Sequence, residues 1–174
     1  MTLEPYLTAA PHIQFHIALA IVALGLGPVA LYRKRRDRIH KMFGYAWVVC
    51  MTGVALSSFT ITSFGVVGPF SPIHLLSVWT LWSLFIAMRH VINGRIALHR
   101  LIMRNLYWYG LIIAGLFNFL PGRSTNRIFF EGNETAGYWI IIIGTALLVA
   151  NSVLQKRRLG AGRIFTLEKP ATMV

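Results

Sequence analysis

The chain reads as an all-α integral membrane protein, with a four-helix core bundle built from a tandem two-helix repeat and a fifth transmembrane helix beside it. Three observations predict this. Apolar residues make up 56% of the 174 residues while only 13% are charged, and the mean hydropathy is +0.61. The apolar residues fall in long runs, not in the short amphipathic stripes of a soluble fold. The basic residues collect between those runs. A water-soluble domain of this length needs a polar surface that this composition does not supply, and 174 residues suit a single domain.

Five runs reach the roughly 20 residues that a helix needs to cross the hydrocarbon core: 12–32, 41–64, 72–91, 99–120 and 135–154. In lipid each backbone polar group needs an internal partner, so these runs are expected as helices. A barrel would need alternating segments of about ten residues, and none is present. The sequence Gly65-Val-Val-Gly68-Pro69 breaks the chain after the second run, and Pro72 suits a helix start. Asn93-Gly94 ends the third run and Pro121-Gly122 the fourth.

Charge placement sets the expected orientation. Of the 17 Lys and Arg, six lie in 33–41, four in 89–104 and five from Lys156 onward. The other two, Arg123 and Arg127, share the opposite loop with Glu131 and Glu134. The positive-inside rule then places the N-terminus outside and the C-terminus in the cytoplasm. Residues 1–11 carry one acid and no base, unlike a secretory signal peptide. Arg33-Lys34-Arg35-Arg36 reads as a stop-transfer boundary. The net charge of +12 is therefore topogenic charge facing anionic lipid, not a nucleic-acid surface. Cys50 is the single cysteine, so no intrachain disulfide and no thiolate metal site is expected; it reads as a small packed hydrophobe.

The first four runs look like two copies of one helical pair. His16 precedes His40 by 24 residues, and His74 precedes His99 by 25. Each copy has one outer His, one span, a basic loop, and one inner His followed by a cation: Arg38-Ile-His40-Lys41 in one, Ala97-Leu-His99-Arg100 in the other. Both copies enter from the same side, as in a parallel repeat.

No Asp or Glu lies within a run, so the six histidines are the ionisable groups to explain. Intramembrane ionisable residues are costly and point to function. His12, His16 and His74 fall toward the outer face, and His40, His90 and His99 toward the inner one. Two imidazoles facing each other across a bundle can ligate one haem iron. The pairs His16/His74 and His40/His99 would hold two haems in layers roughly 20 Å apart. No Cys-x-x-Cys-His is present, so one or two b haems would be bound non-covalently. Ala18, Gly25, Gly27, Gly44, Gly53, Gly110 and Gly115 would admit a porphyrin. Arg38, Lys41, Arg100 and Arg104 would pair with propionates inside, and Arg123 or Arg127 outside.

Plainer readings stand beside these. An interfacial His can snorkel or cap a helix with no cofactor, which suits His90 best and applies also to His40 and His99. A Gly in a span commonly serves helix contact. His12 and His16 share a helical face, and with His74 they form an alternative outer copper or zinc site. The hydroxyls of Ser57, Ser58, Thr60, Thr62 and Ser63 are expected to bond back to their own helix. Asn118 to Arg123 ends the fourth helix, with a headgroup or quinone pocket as the alternative.

The elements His12-x-x-x-His16, Arg38-Ile-His40-Lys41-x-x-Gly44, Phe70-Ser-Pro-Ile-His74-Leu-Leu-Ser77, Ala97-Leu-His99-Arg100-x-x-Met103 and Leu120-Pro-Gly-Arg123 resemble a family of small bacterial multi-pass membrane proteins catalogued as a domain of unknown function. The resemblance spans about residues 12–130. That family is similar to the dihaem b-type membrane cytochrome superfamily, with ferric-reductase-like and quinol-linked members. The resemblance implies four core helices and His16, His40, His74 and His99 as ligands. The inner pair lies nearer helix ends than a buried haem prefers, so the outer haem is the better supported at this stage.

The function expected from the sequence is a b-type cytochrome of the bacterial inner membrane, relaying electrons between a quinol or soluble donor and an acceptor. Any enzymatic activity would be that of an oxidoreductase working with a redox partner, since no nicotinamide or flavin domain is present. The alternatives are a haem-free subunit or assembly factor of a larger membrane complex, and the outer-face metal protein. A homo-oligomer is compatible with the sequence.

Overall fold

Long apolar runs fold as helices here because a helix satisfies its own backbone where no water can. The computed structural model describes residues 3–33, 35–61, 72–130 and 132–167. It is helical throughout, with no strand among the described residues. A short α1 (Glu4–Leu7) leads into α2 (Pro11–Tyr32), α3 (Arg38–Ser58) and α4 (Pro72–Ile92). The fourth helix is continuous over 96–117 but changes winding: α5 (Ile96–Asn105), a π-helical segment (Leu106–Ile112) and α6 (Ile113–Phe117). Then come α7 (Ser124–Phe129), a 3₁₀ turn (Glu134–Ala136) and α8 (Gly137–Leu167).

Local chemistry explains most boundaries. Pro11 opens α2 and Pro72 opens α4, where a missing N–H costs nothing. Asp37 caps α3, its carboxylate accepting the His40 N–H at 2.9 Å. The Asn93-Gly94 and Pro121-Gly122 breaks are turns, with φ of +73° at Gly94 and +84° at Gly122, a region glycine enters without strain. The second helix is shorter than the sequence suggests. It ends at Ser58, where Phe59, Thr60 and Ile61 turn back onto carbonyls three residues earlier and the Thr60 hydroxyl takes the Ser57 carbonyl at 2.7 Å. Thr62, Ser63 and the Gly65–Pro69 break lie outside the described residues. At the other extreme α8 runs to Leu167, well past the expected end at residue 154.

Four helices are long and apolar enough to cross a membrane: Pro11–Tyr32, Arg38–Ser58, His74–Ile92 and Glu134–Arg157. At 22 residues the first is about 33 Å long, enough for a bilayer core. The π segment divides the remaining expected span. Large apolar side chains such as Val49, Leu75, Trp82, Phe85 and Ile142 are exposed. In water this would be a liability; in lipid it is the expected outer face.

The helix pairs α2–α3 and α4–α5 pack as hairpins, α3 joins α4, and α2 closes the ring against α5 and the π segment. A layer of Ala23, Trp47, Met51, Leu84, Ala87, Leu106 and Tyr107 fills its centre. The closure is a notch in α2. Pro28 lies inside that helix and has no N–H to give to the Leu24 carbonyl. The Tyr107 hydroxyl reaches that carbonyl instead, at 3.4 Å, and its ring rests where a side chain on Gly27 would stand. Beside it the Trp47 indole donates to the Ala23 carbonyl at 3.0 Å. α8 rests mainly on α6 and the π segment, with Leu116 against Gly144 and the Tyr109 hydroxyl on Ser152 at 3.1 Å.

A Gly27→Val substitution drives a branched side chain into the Tyr107 ring. It should cost about 1–3 kcal/mol, read as a lowered thermal midpoint in detergent, with Gly25→Val, which faces open space, as the neutral control.

Candidate functional site

Two cavities lie on the bundle axis, each lined by all four core helices. In every helix the central layer falls between them. On α2, Ile17 lines one cavity and Ala30 the other, with Ala23 between; on α4, Thr80 and Met88 flank Leu84 and Ala87. Trp47 and Met51, both at most 2% exposed, form the partition, each lining one side.

The first cavity, of about 140 Å³, sits at the basic end. His40 and His99 both line it. The His99 Nδ1 lies 2.9 Å from the Ala87 carbonyl. A carbonyl only accepts, so Nδ1 carries the proton and Nε2 keeps its lone pair. Nδ1 of His40 is buried and has no hydrogen-bond partner, an arrangement that needs a reason. Apolar walls come from Leu31, Trp47, Val48, Met88, Val91 and Met103, and the absent side chain of Gly44 leaves room.

Five cations rim this cavity: Arg33, Arg35, Arg36, Lys41 and Arg100. The first three belong to the stop-transfer cluster of the sequence, and sequence reasoning did not place them at this cavity; their position a few residues ahead of His40 was the available signal. Asp37 organises the loop. The Arg33 guanidinium forms a two-pronged ion pair with it. That contact, with the His40 N–H, holds the Asp37 carboxyl well below the usual carboxylate range. Two expected cations are elsewhere. Arg38 is exposed and does not line the cavity, since the Asp37 cap starts the helix and turns it outward. Arg104 stacks over the Tyr32 ring at 5.2 Å, and Tyr32 accepts a 2.6 Å bond from Trp108.

The second cavity, of about 210 Å³, sits at the opposite end. His16 lines it, with Ser58, Ser77, Thr80, Asn118 and Arg123. The Ser57 hydroxyl donates to the Gly53 carbonyl at 2.7 Å, so its oxygen accepts from His16 Nδ1 at 2.8 Å. His16 therefore has the same tautomer as His99, with Nε2 bare. Ser58 and Ser77 meet at 2.5 Å across α3 and α4. The hydroxyls of Ser57 and Ser58 do bond back to their own helix, while Ser57 also orients His16.

His74 is buried but does not line this cavity; its ring packs on Phe59 at 5.6 Å. The relative standing of the two histidine pairs is thus the reverse of the sequence expectation: the basic-end pair shares a cavity and the other does not. His12 is exposed, and no three His, Cys, Asp or Glu gather among the described residues. Gly27 and Gly53 face Tyr107 and Leu19 and serve helix packing. Arg127 pairs with Glu134 at 3.6 Å, away from the cavity.

The loop that carries Arg123 is clasped in place. Asn126 donates to the carbonyls of Phe119 and Glu134, and the Glu134 carboxylate accepts the Gly122 N–H at 2.7 Å. Partial burial lowers the Arg123 pKa, from a starting point so high that the charge persists at neutral pH.

A family model described as a predicted membrane protein, DUF2306, matches residues 13–156. The chain belongs to this family. The match takes in both cavities and all the histidines except His12. No curated relative and no solved structure matches the chain.

Asp37→Ala should lower the thermal midpoint at pH 7 by removing the α3 cap and the Arg33 anchor. A depressed folded pKa contributes stability above the ordinary carboxylate value of about 3.9 and loses it as pH falls below. The difference from wild type, followed by thermal melts, should therefore hold constant from about pH 8 to 5 and shrink below about pH 4.

Proposed function

We propose that this protein is a b-type haem-binding electron carrier of the bacterial cytoplasmic membrane, with its haem at the basic end of the bundle. The observation that carries the reading is the shared cavity of His40 and His99. His99 offers a bare Nε2 fixed by a backbone carbonyl, the arrangement that orients histidine ligands in metal sites. His40 brings a buried ring nitrogen with no protein partner, which a ligand would explain. The donor set matches the group in kind, with two imidazoles for iron, apolar walls for a porphyrin face and a rim of guanidinium and ammonium groups for two carboxylates, and the cavity of about 140 Å³ would have to widen to take it.

Bound there, haem supplies a one-electron couple held by two nitrogens. The chain's own residues do the rest. His40 and His99 would hold the iron from α3 and α5. Arg33, Arg35, Arg36, Lys41 and Arg100 balance the carboxylate charge. Trp47 and Met88 keep water from the site. The charge bias of the loops puts this end toward the cytoplasm. The likeness to dihaem membrane cytochromes belongs to this proposal, and so does a redox partner or larger complex to receive the electron.

The purified protein should show a sharp b-type α band in its reduced-minus-oxidised spectrum. His40→Ala and His99→Ala should each abolish it, while His90→Ala and His12→Ala leave it unchanged. A band that survives His99→Ala refutes the pairing, and loss of the band in His16→Ala and His74→Ala instead would move the haem to the far end. A colourless, metal-free protein that co-purifies with partners would establish the haem-free subunit.

A further inference from the structure

The hydroxyl-lined cavity at the far end is unused by the reading above. We propose that it binds the headgroup of a quinol or quinone drawn from the bilayer. As the site for the carrier's exchange partner, this role rests on the electron-carrier reading; as a binding site it stands on its own residues.

Its lining is divided by chemistry. Ile13, Ile17, Val54, Leu76, Leu111 and Ala114 give it an apolar body. Among the described residues the polar groups are one imidazole, one guanidinium, one amide and several hydroxyls, with no carboxylate. With one guanidinium present that set does not favour a cation, and its predominantly apolar walls do not suit a sugar. It suits a flat apolar ring with oxygens at its two ends.

The His16 tautomer adds direction. With Nδ1 donating to Ser57, Nε2 accepts, so it can receive the O–H of a quinol. Arg123 and Asn118 line the same cavity and both carry N–H donors, which can hold the other oxygen. The Ser58–Ser77 pair lies at the level of His16, and Thr80 lies one turn nearer the central layer than Ser77. A purely anionic headgroup would waste the acceptor on His16. A fatty acid is therefore the competitor that a test must separate.

The probe is a short-chain benzoquinone carrying an azido group, used on the full chain in lipid nanodiscs, with labelled peptides mapped by mass spectrometry. Labelling should be saturable, fall on 13–17, 51–61 and 110–125, and be displaced by unlabelled benzoquinone and not by decanoate. His16→Ala and Arg123→Gln should each weaken it about tenfold, the loss expected for one hydrogen bond to a charged or strongly polar group. Helical circular dichroism and monodisperse elution check that each variant folds, and Arg127→Gln should bind as wild type. Labelling that is unsaturable, confined to the lipid face or at the basic end overturns the site. Equal displacement by decanoate overturns the ligand class. His99→Ala should leave labelling intact, so a failure of the haem reading, seen in the spectrum, is distinguishable from a failure here.

Discussion

The bundle depends on one contact, the seating of Tyr107 in the Gly27-Pro28 notch of α2. Hydrocarbon leaves no solvent to satisfy a stray carbonyl, and a proline inside a span creates one. Tyr107 supplies the missing donor while its ring fills the gap beside Gly27. The same side chain brings the fourth helix against the first and closes the ring. It arrives there from a π-helical turn, whose extra residue per turn shifts the face that the helix presents. Below the turn Met103 faces the basic cavity; within it Gly110 faces the other. Sites of π winding recur at functional positions, and here the winding lets one helix serve two cavities.

Much of this was legible in the sequence. The helical nature of the apolar runs, the Asn93-Gly94 and Pro121-Gly122 turns and the Pro72 start of α4 follow from solvent and stereochemistry alone. The four-helix ring with a fifth helix beside it was legible from the run count and the repeat. What was not legible depends on tertiary contact. The π segment has no sequence signature of its own. The early end of α3 depends on hydroxyls that can equally sit inside a helix. α1 and α7 are too short for periodicity to reveal, and they pack on each other at one end.

The candidate residues divide in the same way. Spacing identified His40 and His99 as partners, and they do share a cavity. The same spacing matched His16 with His74, yet His74 turns to Phe59. A repeat fixes where a residue lies along a helix, but the rotation about the axis is set by packing. Charge position was equally ambiguous. Arg38 and Arg35 lie three residues apart, but only Arg35 lines the cavity, because the Asp37 cap separates a loop residue from a helical one.

The partition of Trp47 and Met51 has a consequence for transport. Between the two chambers the buried side chains of Trp47 and Met51 form a septum about one helical turn thick along α3, a barrier to a hydrated ion. An electron is not so confined, since tunnelling tolerates a gap that hydration cannot. Under the proposed electron-carrier function the architecture would act as an insulated junction, letting charge cross without letting matter follow, so that a membrane gradient would survive its operation.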